Sequence, residues 1–265
     1  MKDLVVIIPL HEYNKDVEKL LSKAVASVPN DIEIRLSCKN GLGEDLKKKY
    51  GKAKNIVINE VMPDWPTDFA SLVNSAVSDS KWFSILEYDD EYTPIWFDNF
   101  KKYADFYPDI SVFVPMEDLV DATDDKFAGI GNEAPWASSF SNEIGYIDND
   151  CLQNFFDFYM TGAIFNTADW KEVGGLKSSV KLTFWYEWLL RATYKGKKIF
   201  VIPKVGYIHL LGRKGSIIDT YKETIDEKES DFWVSVAKKD YFYKDEREPA
   251  KYKYDPKKEA KKEDE

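Results

Sequence analysis

The chain has 265 residues, 44% of them hydrophobic and 15% aromatic, with a net charge of −10. That length buries a substantial core in one large domain or two small ones, and that composition excludes a wholly disordered protein. The negative balance argues against a broad grip on nucleic acid or anionic membrane, since both need a basic footprint.

The two cysteines, Cys38 and Cys151, offer neither a disulfide framework nor zinc-ligand spacing, which points to a reducing, cytoplasmic compartment. The apolar run Leu4 to Ile8 is too short for a signal peptide or a membrane span, so no membrane insertion is expected. It predicts a central strand, apolar on both faces and stopped by Pro9. Asn14 is placed to cap a helix whose inner stripe is Val17, Leu20, Leu21, Ala24, Val25 and Val28. Ile32 to Leu36 predicts a second strand, Glu44 to Tyr50 a short charged helix, and Asn55 to Ile58 a third strand. Asp68 or Thr67 caps the next helix, with Phe69, Leu72, Val73, Ala76 and Val77 turned inward. Trp82 to Leu86 predicts a fourth strand.

Glu87, Asp89, Asp90 and Glu91 follow that strand almost without a break. Unpaired carboxylates cannot sit in apolar packing. They face solvent, pair with cations or hold a metal, and in an open α/β sheet ligands bind where strands end. Thr93-Pro94 then predicts the start of a helix that runs to Tyr107, with Thr93 as its cap. Ser111 to Val114 predicts a fifth strand. This alternation of strand and helix is the pattern of a parallel, doubly wound sheet.

From Met116 to about Tyr159 the periodicity weakens. Aromatics such as Trp136, Phe140, Phe155 and Phe156 interleave with Asp148, Asn149 and Asp150, as suits either an acceptor-binding wall or an irregular insertion packed on its own rings. Thr161 to Asn166 predicts a strand, and Ala168 to Val173 a helix closed by Gly174-Gly175. Phe184 to Tyr194 predicts a buried helix in which Trp185 and Trp188 are core or sugar-stacking residues. Two short strands follow, Lys198 to Ile202 and Val205 to His209, divided by Pro203. A last helix is expected over 219–238, and the charged tail 244–265 has no apolar face and predicts disorder.

Together these pieces resemble a family 2 glycosyltransferase with the A-type nucleotide-sugar-binding fold. The resemblance rests on Val5 to Asn14, on Phe69 to Ala76 and on Ile85-Leu86-Glu87-Tyr88-Asp89-Asp90, which is similar to an Asp-x-Asp-Asp metal motif with Glu87 in place of the first Asp. It continues through Gly162 to Phe165 with Glu172 to Leu176, Glu187 to Arg191, and His209 to Ser216. It implies one domain over 1–243, made of a nucleotide-sugar half (1–115), an acceptor half (116–218) and a C-terminal helix (219–243).

The resemblance also implies an activity: transfer of a hexose or pentose from a nucleotide-diphosphate sugar to a hydroxyl of a glycan, protein or small molecule, with inversion. Asp89, Asp90 and His209 would hold Mn²⁺ or Mg²⁺, the imidazole tilting the choice towards Mn²⁺. Pro9, Glu12, Ser37, Asn74, Glu87, Arg213 and Ser216 would contact the donor, with Arg213 and Lys214 closing over the phosphates between Gly212 and Gly215. His11, after the first strand, reads as packing rather than contact.

Two departures stand out. Phe184-Trp185 replaces the acidic pair at the start of the catalytic helix, so either Glu187, two residues and roughly 200° further round the helix, is the general base, or the base lies elsewhere, or the protein is not a conventional inverting enzyme. Ser37-Cys38-Lys39-Asn40-Gly41 lacks the acid that often holds the nucleotide base. A catalytically inactive nucleotide- or glycan-binding module is therefore a rival reading. Glycosylation of a modified nucleobase in DNA is a further one, against which the net charge speaks.

Overall fold

The computed structural model describes residues 3–62, 68–137, 140–155 and 157–241. Thr67, Phe156 and the tail 244–265 lie outside the described residues. The first half runs β1 (Leu4–Leu10), α1 (Lys15–Ser27), β2 (Glu33–Cys38), α2 (Gly43–Tyr50), β3 (Ile56–Glu60), α3 (Phe69–Ala76), β4 (Trp82–Ile85), β5 (Glu91–Tyr92) and α4 (Trp96–Phe106). The second runs β6 (Val112–Asp121), β7 (Lys126–Gly131), α5 (Asn149–Asn154), β8 (Ile164–Asn166), α6 (Thr167–Val173), α7 (Phe184–Tyr194), β9 (Ile199–Leu211), α8 (Ile217–Thr224) and α9 (Glu227–Tyr241).

One sheet joins the strands in the order β3-β2-β1-β4-β8-β6-β9-β5, with β7 on β6. β1 is buried along its whole length because both neighbours, β2 and β4, pair with it in parallel. Its side chains alternate between two cores. Val5 and Ile7 pack with α3, α6 and α7 on one face; Leu4, Val6, Ile8 and Leu10 pack with α1, α2 and α4 on the other. Helices therefore cover both faces of a mostly parallel sheet, as the alternation predicts.

The caps at Asn14, which accepts from Asp16 and Val17 N–H, and at Asp68, which accepts from Ser71 N–H, stand where expected. Gly174, at φ +82°, ends α6.

Four expectations are corrected. β6 does not stop at Val114: it passes Pro115 through a register shift against β9 and turns back as β7, so part of the presumed insertion is a hairpin. β9 is likewise continuous across Pro203, because the two prolines' missing donors fall at one shared irregularity, where Pro115 pairs with Ile202 and Met116 with Val205. α4 starts at Trp96 without a side-chain cap, since the Thr93 hydroxyl donates to Val205 O at 2.8 Å instead. The last helix is broken in two at Asp226, whose carboxylate accepts from Lys228 N–H and starts α9.

β8 is the antiparallel wedge between β4 and β6. It is entered through Gly162, at φ +77°, where a Cβ would lie 2.4 Å from the Tyr207 ring. No helix among the described residues is long and apolar enough to cross a membrane.

Candidate functional site

β4 ends at the centre of the sheet and the chain turns at once, Asp90 N–H donating to Glu87 O. β5 then pairs antiparallel with β9, Glu91 opposite Ile208 and Tyr92 opposite Tyr207. This short pairing presses the acidic turn against the end of β9, where His209 to Leu211 lie. Glu87 N–H donates to the Tyr207 hydroxyl at 3.1 Å, which fixes the turn from below.

Each of the two consecutive aspartates meets a cation: Asp90 meets His209 on β9 itself, and Asp89 meets Arg213 just beyond it. Asp90 is buried: one oxygen accepts from Leu210 N–H at 2.8 Å and the other faces His209 Nδ1 at 2.9 Å. The Asp89 carboxylate accepts from Arg213 Nε. The Arg213 guanidinium also donates to the Tyr88 hydroxyl and lies over the Tyr88 ring, 4.9 Å from its centroid. Tyr88 in turn donates to Glu12 at 3.4 Å. Beyond Arg213, Ser216 caps α8 by accepting from Asp219 N–H.

The charges respond to this crowding. Burial, reinforced by Asp90 and Asp89, pushes Glu87 up to about 8. Burial also raises Asp89, with Asp90 adding and Arg213 opposing. For His209, burial pulls downward but the Asp90 charge and hydrogen bond win, lifting it to about 10 and leaving an imidazolium at neutral pH. His11 is held below its usual range, burial and Arg213 outweighing Glu12.

A cleft of about 770 Å³ opens beside the turn, lined by Glu87, Asp89, His209, Arg213 and Ser216 on one side and by Phe184 and Trp185 on the other. Pro9 and His11 border a small recess behind Asp89 and Arg213. The expected residues Pro9, Glu87, Asp89, Asp90, His209, Arg213 and Ser216 are thus brought together, with Glu12 linked through Tyr88.

Three expected site residues are engaged elsewhere. The Ser37 hydroxyl is fully buried and donates to Leu72 O at 2.6 Å, tying β2 to α3. The Asn74 side chain donates to Leu176 O and accepts from Leu176 N–H, clamping the chain after Gly175. Glu187 accepts from Arg191 at 3.0 and 2.9 Å and pairs with Lys177 at 2.7 Å, and it does not line the cleft. Arg191 completes this clamp by donating to the carbonyls of Val173, Gly174 and Gly175.

The expected metal set is also not assembled. Among the described residues no three His, Cys, Asp or Glu side chains are placed to share an ion. Asp90 and His209 are bonded to each other. The carboxylate oxygens suit a hard divalent cation, but of the two aspartates only Asp89, whose partner is a side chain on a turn, has oxygens open to exchange.

Sequence reasoning missed Glu117, on β6. It is completely buried, neither of its carboxylate oxygens has a hydrogen-bond partner among the described residues, and burial raises it well above the usual carboxylate range, with His209 opposing and Asp90 and Glu87 adding. Asp157 and Tyr159, which line the cleft opposite Arg213, were also passed over. Met116-Glu117-Asp118-Leu119 reads apolar-polar-polar-apolar, so its local pattern gave no strand alternation with Glu117 turned inward.

No protein-family model matches the chain, and no curated protein matches it. Solved structures do. Residues 1–349 of TarS from S. aureus, in complex with UDP-GlcNAc, superpose with a TM-score of 0.65 at 14% identity, covering 92% of this chain and 69% of that one. The longer TarS structure gives 0.57 at 15% identity, and this chain spans 38% of its length. Mannosyltransferase PcManGT from Pyrobaculum calidifontis, in complex with GDP-Man and Mn²⁺, gives 0.58 at 13% identity, covering 80% of this chain and 58% of that one. The chain therefore has the A-type fold of these nucleotide-sugar glycosyltransferases.

Proposed function

We propose that the protein transfers a glycosyl group, with inversion, from a nucleoside diphosphate donor to an acceptor hydroxyl, and that the cleft beside Asp89 receives the donor. The observation that carries this reading is the Asp89–Arg213 and Asp90–His209 pairing at the end of β4. It sets one cation, His209, on the end of β9 and a second, Arg213, on the glycine-flanked turn that follows, both beside an open cleft at the strand ends where such a sheet binds ligands. The shared fold with proteins solved with UDP-GlcNAc and GDP-Man supports a nucleotide-sugar donor.

The chain's own groups supply most of what such a reaction needs. A departing diphosphate gathers negative charge, and Arg213 and the His209 imidazolium meet it with charge-assisted hydrogen bonds. Tyr88 orients the guanidinium from behind. Mn²⁺ or Mg²⁺ would be held by Asp89, with the same charge-offsetting role towards the phosphates. Trp185 offers a ring for the sugar face. The acceptor is a sugar or other hydroxyl compound rather than DNA, in keeping with the acidic chain.

Binding of UDP and GDP, measured by calorimetry with and without MnCl₂, tests the reading together with release of nucleotide from UDP- and GDP-hexoses. Asp89→Ala should abolish metal-dependent turnover, while Glu91→Ala, on a β5 residue outside the cleft lining, should stay within about threefold of wild type. Equal losses in the two variants would remove Asp89 from the site. Binding without turnover in the wild type would favour a non-catalytic nucleotide-binding module.

A further inference from the structure

The cleft is not the only large cavity near the acidic turn. A second, of about 650 Å³, lies between the β6–β7 hairpin and residues of 132–137, 140–155 and 157–159. Its walls are mostly rings and apolar side chains: Trp136, Phe140, Phe155 and Tyr159, with Met116 and Ile130. Among the described residues, only Asp157 and Tyr159 line both cavities.

This shared wall is firmly built. Asn132 donates to Tyr159 O at 2.8 Å and accepts from Tyr159 N–H at 3.0 Å, while its amide also donates to Pro115 O. The Tyr159 ring packs on His209, with centroids 5.3 Å apart, so the second cavity is anchored to the same His209 that faces Asp90. Trp136 is pinned by its indole N–H on Val201 O, and Phe140 meets Phe155 edge-on.

The carboxylates divide by occupation. Asp89 is held by Arg213, and Asp219 accepts from Gly215 N–H. Glu187, the acid expected to act as base, is locked to Arg191 and Lys177. Asp157 is exposed and has no hydrogen bond or ion pair to another described residue. A general base has to reach the acceptor hydroxyl beside the donor, and among the described acids that line the cleft only Asp157 also borders the second cavity, whereas Glu87 and Asp231 line the cleft alone.

We infer that Asp157 is the catalytic base, and that the aromatic-walled cavity beyond it receives the acceptor as a sugar ring. This rests on the transferase reading above. A sugar presents apolar C–H faces to rings and hydroxyls at its edge, which matches a cavity with ring walls and the carboxylates of Asp157 and Glu133 on its lining. The acceptor hydroxyl oxygen forms a bond to the donor's anomeric carbon as its proton passes to an Asp157 oxygen. The bond from that carbon to the phosphate oxygen breaks, and its electron pair leaves with the nucleoside diphosphate. Nothing is oxidised or reduced.

The test uses the full chain with UDP- and GDP-hexoses as donors and p-nitrophenyl glycosides as acceptors, following nucleotide release, alongside UDP and GDP binding. Asp157→Asn should leave nucleotide affinity within about twofold and lower kcat by about 10²–10⁴, with loss of the acidic limb of the pH–rate profile. Phe140→Ala should raise the glycoside KM about fivefold or more and leave the donor KM unchanged. An Asp157→Asn protein that transfers as fast as wild type, while Asp89→Ala does not, overturns the base assignment and leaves the transferase reading standing. A Phe140→Ala protein with an unaltered glycoside KM overturns the acceptor cavity. A wild-type chain that neither binds nucleotide nor releases it from any donor overturns the transferase reading and this inference with it.

Discussion

The Glu187 oxygens are held by Arg191 and Lys177 and do not line the cleft. A carboxylate gripped by Arg191 and Lys177 and only 5% exposed is a strut between α7 and the Gly174–Gly175 turn. Removing one partner of a buried ion pair strands the other charge, so Glu187→Ala should cost about 3–5 kcal/mol. In a domain of this size that lowers Tm by roughly 6–20 °C, readable by thermal melting, while Glu187→Gln, which can still accept from Arg191, should lose less. Turnover per folded molecule should survive both changes. A variant that melts like wild type but has lost turnover would return Glu187 to the chemistry. Asp157 shows the converse: among the described residues its carboxylate has no hydrogen-bond or ion-pair partner, which leaves it available to a ligand.

At the level of elements, the site depends on how β8 and β9 approach each other around Tyr207. Gly162 permits that approach, because its backbone is left-handed and its missing Cβ leaves room for the Tyr207 ring. Tyr207 in turn accepts the Glu87 N–H that anchors the acidic turn. Gly162→Ala should therefore destabilise the fold by about 1–3 kcal/mol or more and weaken nucleotide binding beyond what its Tm loss explains. Unchanged UDP affinity in the folded variant would show that the turn is held without Tyr207. The sequence made much of this level legible. Strand and helix periods gave the wound half, and the run of acids marked the strand end where the cleft opens. What stayed hidden depends on contacts between distant segments. Pro115 and Pro203 read locally as strand breaks because their neutralisation requires that they fall beside one another in the sheet. The same holds for Ser37, Asn74 and Glu187: each is polar at a plausible position, and only the packed chain reveals that its hydrogen bonds are already spent. Glu117 was invisible because nothing in a strand's alternation says that a carboxylate will end up buried and unpartnered.

Across the whole molecule, charge and burial combine to set a pH dependence opposite to that of proteins held by depressed carboxylates. Surface acids such as Glu44, Asp79 and Asp109 sit on lysines and are held below their usual values, so their share of stability is lost only as pH falls below about 4. The buried groups act the other way. Glu87 is raised from 4.5 to about 8, and Glu117 is raised well above 4.5, so the folded state keeps protons the unfolded chain has released. Stability then falls as pH rises from 4.5 through about 8. His209, raised from 6.5 to about 10 by Asp90 against the pull of burial, contributes fully below 6.5 and loses its share as pH climbs through 10. All three trends run downward with rising pH, so Tm should peak on the mildly acidic side, near about pH 5–6, and decline through pH 9. Glu117→Gln removes one ionisable group that faces Glu87, Asp90 and His209 without touching the cleft lining. It should flatten the decline, with Tm close to wild type at about pH 5 and higher than wild type at about pH 9. Melting curves of the two proteins across this range that run parallel would mean that Glu117 carries no trapped proton.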